Sequence, residues 1–503
     1  MVYGKNPLTR GDFPDQDVIR VGDTYYMVST TMYFMPGAVI LRSFDLINWE
    51  IITHVYDELD DTERQRLDGD KHAYANGMWA PVIRYHDGVF HVIFIANDTH
   101  KTYHFTATDI MGPWTKSYIE GFYHDTSLLF DDDGRVYLMY GGRHIYLTEM
   151  EPDLSKPKAG GVNKIVIEDK PGPFLGYEGC HLYKVGGKYY AFFIHAHPDR
   201  WFRTEACFMA DHIEGPWVGA DVIDYNLEDN KCGAPGVAQG GIVDTPDGRW
   251  FGVIFGDRGA VGRIPNLVPM HFGEDGFPIF DTPTINVCNT STRPDHKYAP
   301  IFISDSFDYE PDENGKIHLN PSWEFNHIPK NDYWTVKDSK FILTTEKIAP
   351  TVELARNTLT QRTVWPECEA IVTVDGTNLN DGDCAGLAIM QHLYGLAGIA
   401  KENGKYYAVM RCRQPDFKGE RERLELDSPI LQVKAKAHFG NHPEYGEFFI
   451  NIKGEWRKIG ENNNLVFDLN HFTGARFGLF AYSTEVTGGS AAFDDFIYNY
   501  PED

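Results

Sequence analysis

Phe13-Pro14-Asp15-Gln16-Asp17-Val18-Ile19-Arg20-Val21-Gly22-Asp23-Thr24-Tyr25-Tyr26-Met27-Val28 sets the architecture of this chain. Apolar and aromatic residues flank a Gly22-Asp23 pair, the pattern of a tight β-hairpin. A carboxylate, Asp15, stands just before the hairpin's first strand. The arrangement recurs. Asp125 precedes Leu128-Leu129-Phe130, a turn at Asp133-Gly134, and Val136-Tyr137-Leu138-Met139-Tyr140. Glu178 precedes His181-Leu182-Tyr183-Lys184-Val185, a turn at Gly186-Gly187, and Tyr189-Tyr190-Ala191-Phe192-Phe193. Two further hairpins, residues 82–94 and 241–254, turn at Asp87-Gly88 and Asp247-Gly248.

The five turn glycines, Gly22, Gly88, Gly134, Gly187 and Gly248, recur every 46 to 66 residues. A second repeat lies between them. Asp109-Ile110-Met111-Gly112-Pro113-Trp114 echoes Asp211-His212-Ile213-Glu214-Gly215-Pro216-Trp217, and Ser43-Phe44-Asp45-Leu46-Ile47-Asn48-Trp49 is a looser copy. These read as outer strands. No convincing amphipathic helix precedes residue 300. Five units of about four strands each predict a five-bladed β-propeller over residues 1–300. The first strand of each blade lines the central channel, so residues just before it share one rim. Asp15, Asp125 and Glu178 should therefore converge on one pocket.

The polar stretch Asn289-Thr290-Ser291-Thr292-Arg293-Pro294-Asp295-His296 breaks the pattern and reads as a linker. From Phe302 on the alternation is again that of strands, as in Ala370-Ile371-Val372-Thr373-Val374 and Glu447-Phe448-Phe449-Ile450-Asn451-Ile452. Its spacing predicts a β-sandwich over residues 301–503. The last strand, 491–498, should pair near the first, 304–308. The whole chain is thus all-β.

The net charge is −27. Such a surface repels nucleic acid and anionic membranes and suits a neutral ligand, although acidity also serves solubility alone. The seven cysteines, Cys180, Cys207, Cys232, Cys288, Cys368, Cys384 and Cys412, are irregularly spaced, and no pair has metal-ligand spacing. Free thiols in a reducing compartment account for them. Met1 opens almost directly into the first hairpin, and no apolar run is long enough for a membrane span. The expectation is a cytoplasmic protein with no membrane or nucleic-acid partner.

Paired carboxylates at a channel mouth are what glycoside hydrolysis needs. One protonates the leaving oxygen while the other activates water or attacks the anomeric carbon. A third can raise the acid's pKa by like-charge proximity. Any one of these acids reads as well as a turn or capping group. The repeat alone leaves both readings open.

A family resemblance decides between them. Residues 13–20 resemble the base-bearing segment of glycoside hydrolase family 43, whose catalytic domain is a five-bladed propeller. Trp79-Ala80-Pro81 matches that family's Trp-Ala-Pro signature. His124-Asp125-Thr126-Ser127-Leu128 resembles the segment with the pKa-tuning Asp, and Tyr177-Glu178-Gly179-Cys180-His181-Leu182 the general-acid segment. Gly262-Arg263 resembles a pair whose Arg reaches the sugar. The resemblance implies Asp15 as general base, Glu178 as general acid, Asp125 as tuner and Arg263 as sugar anchor. Residues 355–362 and 381–387 resemble the concanavalin-like sandwich appended to the β-xylosidase and α-L-arabinofuranosidase members, where it packs on the propeller.

Two departures stand out. Many relatives carry a channel-facing His before the fifth hairpin, where this chain has Ala238 or Gln239. An acid often follows the Pro of the second signature, where this chain has Val82. The chemistry requires no cofactor. A structural Ca²⁺ on Asp305 and Asp494 is one reading of the sandwich, exposed or capping carboxylates the other. Sugars stack their C–H faces on rings, which makes Trp79 and Phe34, in the Tyr33-Phe34-Met35 loop, candidate pocket walls. Gln239 and His124 join them as candidate substrate contacts. His197, Trp201 and Arg203, after the fourth hairpin, lie within reach of a ligand.

The sequence therefore implies an inverting exo-hydrolase of α-L-arabinofuranosyl or β-D-xylosyl units, acting on small neutral xylan or arabinoxylan fragments. The alternatives are an endo-arabinanase, a retaining fructoside enzyme, or a non-catalytic carbohydrate-binding propeller. The retaining enzyme would need an Asn-Asp-Pro-Asn-like segment that residues 11–17 lack. The binding protein would have lost an acid, and all three are present.

Overall fold

The computed structural model describes residues 1–227, 231 and 233–501; Cys232 lies outside them. Five four-stranded antiparallel sheets form the first half. Their innermost hairpins are those expected: Asp17–Val21 with Thr24–Ser29, Met78–His86 with Val89–Ala96, Ser127–Phe130 with Val136–Gly142, Glu178–Val185 with Lys188–Ala196, and Val237–Asp244 with Trp250–Asp257. The first pairs Val21 directly with Thr24 across Gly22-Asp23, where Gly22 adopts φ 64°.

Five apolar clusters lie at the five blade seams. Ile40 and Val28 pack with Ile83 and Phe94 between blades one and two. Val18, Met27 and Leu41 pack with Val243, Val253 and Leu267 between blades one and five, which closes the ring. Burying these faces in pairs is what holds blades radially. Closure is reinforced by Val2–Lys5, antiparallel to Asn286–Asn289.

The Asp-to-Trp repeats are not outer strands. They are the turns that lead into them. Residues 108–114 join Lys101–Ala107 to Thr115–Ile119, and residues 211–217 join Arg203–Ala210 to Val218–Ile223. The reason is local. The Asp109 carboxylate accepts the Met111 N–H at 2.9 Å, and its carbonyl accepts the Gly112 N–H at 2.9 Å. That closes a turn before the Pro.

The second half is a sandwich of a seven-stranded and an eight-stranded sheet around one large apolar core. Asp305 bridges Phe496, and Ser304 accepts the Tyr498 N–H at 2.9 Å, so the sandwich's ends meet as expected. One sheet does not stop at the domain edge. Its outer strand, Glu324–Asn326, pairs with Phe34–Met35 of the first blade. Behind that seam, fully buried Glu324 accepts from Arg362 at 2.8 Å, Arg476 at 2.5 Å and His54 at 3.1 Å. Burial alone would raise the Glu324 pKa, but the two guanidiniums hold it well below the ordinary range.

Nor is the expected linker loose. Arg293 pairs with Asp23 at 2.8 Å, His296 with Glu50 at 2.8 Å, and Tyr298 donates to Asp45 at 3.1 Å. The segment is strapped along the first blade. Among the described residues, no helix is long and apolar enough to cross a membrane. The six described cysteines are free thiols, and all but Cys288 are buried.

Candidate active site

Each of the five inner strands has a residue in the left-handed region just before it or within its first three residues. These are Asp15 (φ 51°), Ala80 (42°), Asp125 (49°), Gly179 (65°) and Gln239 (71°). Such backbone costs about 1–3 kcal/mol for a residue with a Cβ, so it persists only where the surroundings impose it. Here a register shift spans that residue in three of the strands, at Trp79/Val82, Glu178/His181 and Val237/Gly240. The kink turns the rim residue toward the channel axis. All five residues line one small central space of about 10 Å³, near the lower limit for a single water.

The ring refines the expected symmetry. Asp15 and Asp125 occupy equivalent positions. Glu178 stands one residue earlier, because Gly179 holds the equivalent place in its blade. A Cβ on Gly179 would come within 2.8 Å of the Gln239 side chain. Glu178 is thereby set back from the ring.

Two residues further along each strand, the channel is plugged. Buried Asp17 accepts from the Ile83 N–H at 2.9 Å, Arg84 at 2.6 Å and the His181 ring at 3.0 Å. Arg84 also donates to Ser127 Oγ at 3.0 Å and the Leu128 carbonyl at 2.9 Å. Four blades are thus tied together beneath the rim, which fixes the acids above.

The Asp125 carboxylate accepts the Gly179 N–H at 3.0 Å and lies 3.6 Å from His124. One ligand-type atom from each of His124, Asp125 and Glu178 lies within 4.8 Å of the other two. Burial, then the charges of Asp125 and Asp15, push the Glu178 pKa up to about 8, against the opposing pull of Arg203 and Arg263. Asp125 is also shifted upward, chiefly by burial. Asp15 has a different partner. Its carboxylate accepts from Arg263 Nη1 at 2.7 Å. One carboxyl is set up to hold a proton at neutral pH and the other to face a permanent cation.

Arg263 is gripped on both sides, 5.4 Å over the Phe255 ring and 4.7 Å over Phe472. Its Nε and Nη2 are buried with no protein partner, as are Nε and Nη1 of Arg203. Buried donors of that kind call for a ligand. Arg203 is held by Asp257 at 3.1 Å. The Trp79 ring packs tilted against Phe472, with centroids 5.3 Å apart, and lies 6.3 Å from His124. Trp201, Arg203, Asp257 and Phe472 border a cavity of about 470 Å³ between propeller and sandwich.

Most of the expected residues come together here: Asp15, Asp125, Glu178, Arg263, Trp79, His124 and Gln239. Gln239, not Ala238, faces the channel, and its N–H donates to fully buried Glu205 at 2.6 Å. Phe34 does not form a pocket wall. Its strand joins the sandwich sheet, and its ring is buried under Arg476 at 3.5 Å. Asp305 and Asp494, the two carboxylates considered for Ca²⁺, have protein partners. Asp305 accepts from the Phe307 N–H at 2.7 Å, from Trp323 Nε1 at 2.7 Å and from the Tyr309 hydroxyl, while Asp494 lies 3.8 Å from Lys340. His197 pairs with Asp199 on the surface loop.

Phe472 was not legible from the sequence, because it belongs to the sandwich and arrives from 209 positions beyond Arg263. Its loop is anchored on the propeller. Asp12 accepts the Arg263 N–H at 2.8 Å with one oxygen and the Gly474 N–H at 2.8 Å with the other.

Comparison with known proteins agrees with this geometry. The family model described as glycosyl hydrolases family 43 matches residues 4–278. That of the beta xylosidase C-terminal concanavalin A-like domain matches residues 312–499. A solved structure titled a bifunctional GH43-CE from Bacteroides eggerthii is 37% identical with TM-score 0.90, covering 99% of this chain. This chain spans 64% of that longer one. A beta-xylosidase of Formosa agariphila is 24% identical over 98% of this chain and 90% of its own length. A non-reducing end alpha-L-arabinofuranosidase of Bacteroides ovatus is 27% identical over 66% of this chain and 63% of its own.

Proposed function

The chain belongs to glycoside hydrolase family 43, and from that premise we propose that it removes single α-L-arabinofuranosyl or β-D-xylosyl units from the non-reducing ends of short xylan-derived oligosaccharides, with inversion. Water attacks the anomeric carbon as Asp15 takes its proton. Glu178 protonates the departing glycosidic oxygen in the same step. Asp125 keeps Glu178 protonated until then. Arg263 orients Asp15 through Nη1 and directs its two unpartnered nitrogens at the sugar hydroxyls.

The observation that carries this reading is the contrast between Glu178, raised to about 8, and Asp15, paired with Arg263 at 2.7 Å. A carboxyl raised by burial and like charge suits the acid, and a carboxylate paired with a guanidinium suits the base. Exo action is supported by the sandwich. Phe472 and Trp79 wall the pocket from two domains, which suits a chain end better than a chain interior. The names of the Formosa and Bacteroides relatives support both sugars, whose hydroxyls are laid out alike near the reacting bond. Short oligosaccharides already inside a cell are the substrates that fit a cytoplasmic enzyme.

Hydrolysis of 4-nitrophenyl α-L-arabinofuranoside, 4-nitrophenyl β-D-xyloside and linear arabinan tests the proposal. Turnover of one or both aryl glycosides, with arabinan left long, is expected. Rapid shortening of arabinan by internal cuts would replace it with an endo-acting enzyme. Binding without turnover of any substrate would leave a sugar-binding protein.

A further inference from the structure

A second group of side chains has the composition and spacing of a metal site, and the reaction does not use it. Glu353 comes from the short 3-10 turn Val352–Leu354, His392 from the loop after Asp383–Met390, and His471 from the loop that carries Phe472. One ligand-type atom of each lies within 4.8 Å of the other two. Glu353 and His471 are buried and His392 is half-buried, so the group opens to solvent on one side.

We propose that Glu353, His392 and His471 bind one divalent transition-metal ion of the zinc type, which pins the Phe472 loop against the catalytic Arg263. Two imidazoles and one carboxylate form a common donor set for zinc, with water in the fourth place. Two imidazoles argue against Ca²⁺ or Mg²⁺, which take oxygen. Metal–ligand bonds of about 2.1 Å put tetrahedral donor atoms about 3.4 Å apart.

The surroundings orient two of the three donors. Arg413 donates to Glu353 Oε1 at 2.7 Å, the oxygen that faces His471 Nε2, and so fixes the carboxylate beside the ring. The His471 ring lies flat on Tyr74, with centroids 4.0 Å apart and planes 7° apart. Tyr74 is itself fixed, since its hydroxyl donates to the Glu353 carbonyl at 2.6 Å. The competing reading is a plain ion pair, because His471 Nε2 is 3.8 Å from Glu353. That reading gives His392 no role, and the third ring is what separates the two.

The consequence lies one residue on. Phe472 sits in the left-handed region at φ 61° with its ring over Arg263. An ion on His471 holds that strained loop in place.

Cobalt is the probe, because tetrahedral Co²⁺ absorbs visible light. The full chain is stripped with chelator and titrated with Co²⁺. One equivalent should bind with a visible band that Zn²⁺ then abolishes, and Zn²⁺ should raise the melting temperature. His392→Ala, away from the catalytic residues, should lose the band and the melting shift while keeping the far-ultraviolet dichroism of the parent. Glu353→Gln should bind at least tenfold more weakly. His124→Ala controls for the catalytic cluster and should keep both signals. Failure of the parent chain to bind Co²⁺ overturns the proposal. So does a folded His392→Ala that still binds one equivalent, or loss of binding in His124→Ala alone.

Discussion

At the scale of single residues, the proposed catalysis rests on two carboxyls in different surroundings, Glu178 beside like charges and Asp15 paired with Arg263. Replacing Glu178 with Ala removes the proton donor but leaves Asp15 to activate water. Loss of a general acid costs about 10²–10⁴-fold in rate. The full loss is expected for natural oligosaccharides, whose alcohol leaves badly without a proton. Nitrophenolate is a stable anion, so aryl glycosides should lose markedly less. Comparing kcat/KM on the two substrate types checks this, and equal losses would remove Glu178 from the role. The pH profile follows from the same group. Glu178 acts only when protonated and its pKa is raised to about 8, so activity should fall as pH rises through about 8. Asp125→Asn removes one of the charges that raise it, after burial itself, so the basic limb should move to lower pH. A limb that stays put or rises in the pH–rate profile would contradict the tuning role. The sequence made these roles legible through repetition, since Asp15 and Asp125 precede matching hairpins. It misplaced Glu178 by one position, because Gly179's left-handed backbone and the register shift beside it leave no mark distinct from any other glycine. It could not show that both Asp305 oxygens are occupied, because a carboxylate's hydrogen-bond partners depend on chain brought close by folding.

At the scale of elements, the hairpins were readable because their signals are local. Alternation and a turn glycine lie within about a dozen residues. The Asp-to-Trp repeats were readable as repeats but not as turns, since the deciding hydrogen bonds of Asp109 run to the backbone. Phe34 shows the limit most clearly. An aromatic beside an inner strand suits a sugar platform, and only the pairing of Phe34–Met35 with Phe325-Asn326 buries it instead. The reverse holds for Phe472, an unremarkable loop residue whose ring covers Arg263. Phe472→Ala should leave the fold intact and lower kcat/KM by about 2- to 30-fold, the range of an arginine–ring contact. Steady-state kinetics beside an unchanged melting temperature would establish this. Unaltered kinetics would show that the sandwich does not help build the pocket.

At the scale of the whole molecule, the two domains behave as one unit. A shared sheet, the buried His54–Glu324 pair and the Asp12 bridge between Arg263 and Gly474 cross the seam. Cutting the chain at residue 300 would expose the apolar faces at this seam and leave Asp12 and Arg263 without their outer support. The fragment 1–300 should be poorly soluble and should retain under a tenth of the parent's activity. A soluble, fully active fragment, judged by gel filtration and assay, would reduce the sandwich to an appendage. The central claim is narrower than the fold. It is that water, activated by Asp15, attacks opposite the bond that Glu178 protonates. Proton NMR of the first sugar released, recorded before mutarotation, tests this most directly. A β-xyloside should release α-xylose first, and an α-arabinofuranoside the β-anomer. Release with the starting configuration would make one of these carboxylates a nucleophile and contradict the account.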